Sequence, residues 1–261
     1  MHPILRRSRI TAVTAVASAA VLAGGHTASA ATEAYSLELI PLNNSGVRGG
    51  ATFVLDTDTR QLAVDFFATG LEDVTGIGQV HPLHVHGLGE NSPGGAGDPP
   101  SLGQPVDSVT PTAADDSDND GFIEVLEGLP RYGNILMPLE SDGGRGGFSG
   151  APGGEIRFTE VYDLDAPGVL EDPLAPDLEI TYDDIADLEL REVVLHGLTL
   201  EQGDGIDSGR AIEEADGTAG YKAVLPVAAG ELRRVAVPTP SALASLLGVG
   251  GVLAMRRRRA A

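Results

Sequence analysis

Ala51-Thr52-Phe53-Val54-Leu55-Asp56-Thr57-Asp58-Thr59-Arg60-Gln61-Leu62-Ala63-Val64-Asp65-Phe66-Phe67 reads as two strands and the turn between them. Apolar side chains recur at every second position, and residues two apart on a strand share a face. The Asp and Thr cluster at 56–59 is turn chemistry, so the stretch predicts an antiparallel hairpin. Outward from it, Tyr35 to Ile40 alternates in the same way, and so does Glu155 to Tyr162. Further strands are expected from about Gly78 to His86, from Leu188 to Leu200 and from Tyr221 to Leu232, with a short one at Phe122 to Leu126. Residues 87–121 and 142–154 are rich in Gly, Pro, Ser and Asp and read as long loops, as does the acidic, Pro-containing stretch 163–177. No long amphipathic helix is visible, though Thr181 to Leu188 would make a turn or two. The expected fold is all-β: one antiparallel β-sandwich with long Gly/Pro/Asp-rich loops at one end.

The two ends read differently from the middle. Arg6, Arg7 and Arg9 precede an apolar run from Ile10 to about Ala23, and Ala28-Ser29-Ala30 is a small-residue cleavage pattern. Residues 1–30 are therefore expected to be a secretory signal peptide. At the other end, Val237-Pro238-Thr239-Pro240-Ser241 leads into an apolar stretch from Ala242 to Met255, and Arg256 to Arg259 follow. That order resembles the PEP-CTERM sorting signal of bacterial envelope proteins, with Thr239 where that family usually has Glu. The resemblance implies an exosortase-type protease as a partner for the tail 237–261, and an exported protein of the bacterial cell envelope or outside it. Contact with the membrane is expected only through this transmembrane-like tail.

Residues 31–236 form the expected working domain. The chain carries 17 basic and 38 acidic residues; without the seven arginines of the two ends, 10 basic residues face 38 acidic ones, a formal −28. Such a surface excludes nucleic acid and anionic membrane as partners and favours cations. There is no cysteine and no tryptophan. An exported domain without disulfides rests on an aliphatic core or on bound metal. No Gly-x-Ser-x-Gly nucleophile motif is present, so a hydrolase is disfavoured.

Beyond residue 30 the histidines are His81, His84, His86 and His196, confined to two strand-like segments. His84 and His86 project to one face, and His196 completes a set of three imidazoles if its strand lies beside theirs. Three imidazoles suit copper or zinc. His81 is offset by three and points away unless Pro82 bends the chain toward the others.

Asp116-Ser117-Asp118-Asn119-Asp120-Gly121-Phe122-Ile123-Glu124-Val125-Leu126-Glu127 fits the twelve-residue calcium loop. Asp116, Asp118 and Asp120 take positions one, three and five, and Gly121 provides the turn. Phe122 offers its carbonyl at seven, Glu124 stands at nine, and Glu127 supplies the bidentate carboxylate at twelve. The preceding Val106 to Thr112 holds Pro-flanked, β-branched residues. The expectation is thus an EF-like loop with a structural calcium in a β-protein, without the two helices of a sensor.

Three stretches together resemble the CHRD (chordin-type) domain of secreted proteins: Gly50 to Asp56 with Thr59, Leu62 and Val64; Gly70-Leu71 leading to His84-Val85-His86-Gly87; and Tyr221 with Ala228-Ala229-Gly230-Glu231-Leu232-Arg233. The resemblance implies a sandwich without a settled enzymatic activity. Leu83 to His86 and Arg191 to His196 also resemble the copper strands of copper/zinc superoxide dismutase, which implies His84, His86 and His196 as copper ligands. The Gly-rich loop lacks that family's metal-bridging His, and its disulfide has no cysteine to form it. Two functions follow as expectations. One is a non-enzymatic metal-binding envelope protein, with envelope or matrix components as partners. The other is a copper-dependent, dismutase-like oxidoreductase.

Overall fold

The computed structural model describes residues 32–92, 101–141, 147–207, 209 and 214–237. The signal-like segment and the tail beyond Val237 lie outside the described residues. The strands are β1 (Thr32–Pro41), β2 (Arg48–Asp56), β3 (Gln61–Thr69), β4 (Leu83–Gly89), β5 (Pro105–Val106), β6 (Asn134–Pro138), β7 (Glu155–Asp163), β8 (Glu192–Leu200), β9 (Gly220–Glu231) and β10 (Arg233–Val235). Two short helices interrupt them, α1 (Val125–Tyr132) and α2 (Tyr182–Ala186).

Hydrogen-bonded neighbours follow the order β5-β4-β8-β9-β1-β2-β3-β7, with β10 added to β1 and β6 to β4. The pairings are antiparallel. β1 serves both layers of the sandwich. Thr32 to Leu39 pair with β2, whereas Ile40 and Pro41 pair with Ala229 and Ala228 of β9. The layer β10-β1-β2-β3-β7 contributes Phe53, Leu55, Leu62, Val64, Phe66 and Phe158 to the main core. The layer β9-β8-β4-β6 contributes Leu83, Val85, Leu136, Val193, Leu195 and Val227. The hairpin at 51–67 is present with the expected alternation: Phe53 pairs with Val64, and Leu55 with Leu62.

Several elements differ from the sequence reading, among them β5 within the stretch 87–121 expected as loop. The expected strand at Phe122–Leu126 is instead the approach to α1. Glu124 and Glu127 form a reciprocal capping box there, each carboxylate accepting the other residue's backbone N–H. Pro130 and Gly128 within α1 lower its intrinsic helicity, so packing of Tyr132 and Leu129 onto Leu42, Ile123, Val194 and Ala229 holds it. β6 is absent from the sequence reading because all five residues are buried, which removes the alternation that marks a half-exposed strand. The strand expected from Gly78 starts only at Leu83. Pro82 has no N–H for the ladder, but its carbonyl accepts from His196 N at 2.9 Å. α2 falls within the expected helical turn, and its cap pairs Thr181 with Asp184.

Candidate metal centres

β4 and β8 lie side by side, with Leu83 opposite Leu195, His84 opposite Val194, Val85 opposite Val193 and His86 opposite Glu192. Leu83, Val85, Val193 and Leu195 face the main core. Alternation then sends His84, His86, Val194 and His196 to the other face of the same layer. His196 lies diagonally across from His84, and a register shift at Leu195/His196 on the β9 side re-aims the chain there. The ring centroids are 5.6 Å apart for His84–His86, 5.5 Å for His84–His196 and 6.0 Å for His86–His196. One ligand nitrogen from each lies within 4.8 Å of the others. The three residues are 4 to 6% exposed.

Backbone carbonyls decide which nitrogens remain available. His86 Nδ1 lies 2.9 Å from Gly133 O, and His196 Nδ1 lies against Val224 O. A carbonyl only accepts, so both Nδ1 atoms carry the proton and both Nε2 atoms keep a lone pair. Nε2 of His86, Nε2 of His196 and Nδ1 of His84 are buried without a hydrogen-bond partner. Fixing the tautomer through the second ring nitrogen is the usual outer support of an imidazole ligand. Gly133 follows α1 with φ 81°, and a Cβ there would come within 2.2 Å of Gly87 O. Glycine at 133 therefore lets the carbonyl that orients His86 approach β4.

Aromatic rings close the face. Tyr132 stacks edge-on to His86 at 4.7 Å, and Phe148 meets His84 at 5.3 Å. In these surroundings the charged form of imidazole is disfavoured. Burial brings His86 down to about 3 and His196 to about 4, and holds His84 well below its ordinary value with help from the other two rings. Neutral imidazoles with inward lone pairs are the form that binds metal.

His81 lies apart from this set. Its Nδ1 is 2.9 Å from His196 O and its Nε2 is 2.9 Å from Glu72 O, so both nitrogens are engaged on carbonyls. His81 clamps the β8 backbone at His196; it does not turn toward the other three rings.

The acidic loop brings its carboxylates together in two overlapping groups, Asp116–Asp118–Glu127 and Asp118–Asp120–Glu124. Asp116 accepts from Asp120 N at 3.2 Å and Gly121 N at 3.0 Å, and Glu127 accepts from Ser117 N at 2.8 Å. Gly121 has φ 96° and Asn119 φ 61°, the left-handed turns that fold the carboxylates inward. Phe122 packs its ring near Leu200, Ala215 and Leu225, which keeps its backbone in the loop. Asp120 also accepts from Ile206 N, and Glu124 from Ala215 N, so the loop is tied to those two residues. Burial raises the Asp120 pKa.

Two buried charged residues that motif reading passed over stand at the start of β8. Arg191 is 1% exposed and donates to the carbonyls of Leu88, Val106 and Leu190. Glu192 is fully buried, and neither of its carboxylate oxygens has a hydrogen bond of normal geometry. The neighbouring Thr110 hydroxyl favours the charged form, but burial prevails and pushes Glu192 up to about 8. The available signal was parity: residues 192, 194 and 196 share one face of a strand.

Fold and site together define an all-β protein with a buried His84–His86–His196 group and acidic groups that could hold a metal ion. Neither a scan against protein-family models nor a search of curated proteins gave a match.

Proposed function

We propose that this is an exported cell-envelope protein that binds metal without catalysing a reaction. Copper or zinc would sit at His84, His86 and His196, and a structural calcium in the loop 116–127. The observation that carries the reading is the convergence of three buried imidazoles with unpartnered nitrogens, two of them, on His86 and His196, selected by backbone carbonyls. Leaving such atoms unsatisfied in an apolar interior is costly, and an ion satisfies all three at once. In the loop, the hard oxygen donors and twelve-residue spacing suit calcium. The signal-like start, the PEP-CTERM-like tail and the CHRD-like motifs support export, sorting by an exosortase-type protease and a matrix role.

The test is metal analysis of the purified protein after loading. One equivalent of copper or zinc is expected, and its loss in a His84→Ala/His86→Ala variant that still unfolds cooperatively. A wild-type protein that takes up neither ion would sink the proposal. The dismutase-like reading is favoured by the donor type, since three imidazoles suit copper. Superoxide turnover by the copper-loaded protein, absent in the same variant, would replace the non-enzymatic reading.

A further inference from the structure

Glu192 occupies a place that the three imidazoles do not explain. It stands directly opposite His86 in the β4–β8 ladder and shares a face with Val194 and His196. Tyr132 covers His86, and burial, with a smaller contribution from Glu192, raises the pKa of its hydroxyl. The carboxyl is completely buried, and neither oxygen has a hydrogen bond of normal geometry, although the Thr110 hydroxyl lies close enough to favour its charged form. The nearby Arg131 does not neutralise it directly, since its guanidinium is paired with Asp115 at 3.6 Å and its side chain is 42% exposed. A carboxyl in such surroundings is costly to ionise, and a cation beside it offsets that cost.

The imidazoles have the complementary deficiency. Three neutral ligands bring no negative charge, and Tyr132, Phe148 and Val194 supply apolar surroundings. The cost of placing an ion there rises with the square of its charge, so a divalent ion needs an anion nearby far more than a monovalent one does. We propose that Glu192 is the buried counter-charge of the imidazole site, and that it makes the site take a divalent ion, Zn²⁺ or Cu²⁺, in preference to Cu⁺. This rests on the imidazole reading above. Glu192 is not among the residues whose ligand atoms converge within 4.8 Å. It acts through space across His86, as a charge-compensating residue rather than a ligand.

The test compares Zn²⁺ and Cu⁺ affinities by chelator competition, the copper arm under anaerobic reducing conditions, in the wild-type protein and in Glu192→Gln. Removing one nearby unit charge should weaken Zn²⁺ by about tenfold or more and leave Cu⁺ within about threefold, because the monovalent ion has half the charge to compensate. Retained Cu⁺ binding also reports that the three imidazoles are still assembled in the variant. Should the Gln variant fail to fold, Glu192→Leu makes the same prediction with no polar atom in the apolar site. Equal losses for both ions would make Glu192 a shaping residue only, and no change in either would make it irrelevant to the site; each result overturns the inference. Failure of the wild-type protein to bind either ion is a different outcome, which removes the imidazole reading itself.

Discussion

The two candidate centres are built on opposite principles. The imidazoles come from strands more than a hundred residues apart in sequence, and the ladder that aligns them has its other face in the main core. Their free nitrogens stand unpartnered, and carbonyls of Gly133 and Val224 select those of His86 and His196. The acidic centre comes from twelve consecutive residues, and its carboxylates accept hydrogen bonds from the loop's own backbone. A sheet can hold groups in a costly, unsatisfied arrangement because the main core packs against its other face. A loop relaxes its donors onto the nearest N–H. The first centre is preorganised and the second is exchangeable, and α1 joins them: it begins at Glu124 and Glu127 and ends at Tyr132 and Gly133.

The largest single-residue effect should fall on that joint. Tyr132 is 1% exposed, packs on His86, and donates its hydroxyl to Val125 O at 3.0 Å. Tyr132→Ala should cost about 3–5 kcal/mol of unfolding free energy, by analogy with other large aromatic truncations. Tyr132→Phe, which loses only the hydrogen bond, should cost about 1 kcal/mol. Urea unfolding of the two variants measures both. An Ala variant that loses less than its Phe counterpart would mean that α1 unfolds independently, and the contrast between a rigid and a relaxed centre would lose its link.

Acid should separate the centres next. The three imidazoles have folded values below their ordinary 6.5, with His86 at about 3 and His196 at about 4. Between those values and 6.5 the unfolded chain binds protons that the fold refuses, so their contribution is complete above 6.5 and is lost as pH falls. Glu192 runs the other way. Its folded value of about 8 lies above the ordinary 4.5, so between those limits the fold holds a proton the unfolded chain releases. Three against one leaves a net two protons between 4.5 and 6.5, a loss of up to about 3 kcal/mol per pH unit on acidification. Urea midpoints at about pH 7, 6 and 5 would trace that slope, before most carboxylates titrate. A flat profile would show the imidazoles to be hydrated or already paired, and hence not preorganised.

The same contrast explains what could be read from the chain alone. The acidic loop is local, so spacing placed every carboxylate, and the structure brings them together in two groups. The 51–67 hairpin was legible for the same reason: alternation and turn chemistry are both short-range. The His84–His86 pair followed from strand parity, but the approach of His196 depends on β8 choosing β4 as its neighbour, and no residue near either strand encodes that choice. α1 was hidden because Gly128 and Pro130 oppose a helix and only Tyr132 and Leu129, packing on distant residues, favour it. Glu192 escaped notice because burial, not residue type, makes it unusual. His81 shows the converse hazard, since a fourth histidine beside three convergent ones serves as a backbone clamp.

The smallest expected effect belongs to calcium, and its size is itself the argument. Asp116 and Glu127 must exchange hydrogen bonds to Asp120, Gly121 and Ser117 for the ion, which offsets part of the gain from binding. Affinity in the range of extracellular modules, roughly 10⁻⁴ to 10⁻³ M, is therefore expected. At about 1 mM calcium that amounts to about 1 kcal/mol of added stability, or about 2–4 °C in the melting midpoint for a chain of this size. Thermal melts with calcium and with chelator measure the increment, and Asp116→Ala should abolish it. The variant also loses two hydrogen bonds in the calcium-free state, so the calcium-dependent difference, and not the absolute midpoint, is the quantity to compare. An increment several times larger would mean that the carboxylates are already arranged for the ion. The loop would then be as preorganised as the imidazoles, and the division between a centre held by the sheet and one that relaxes onto its own backbone would fail.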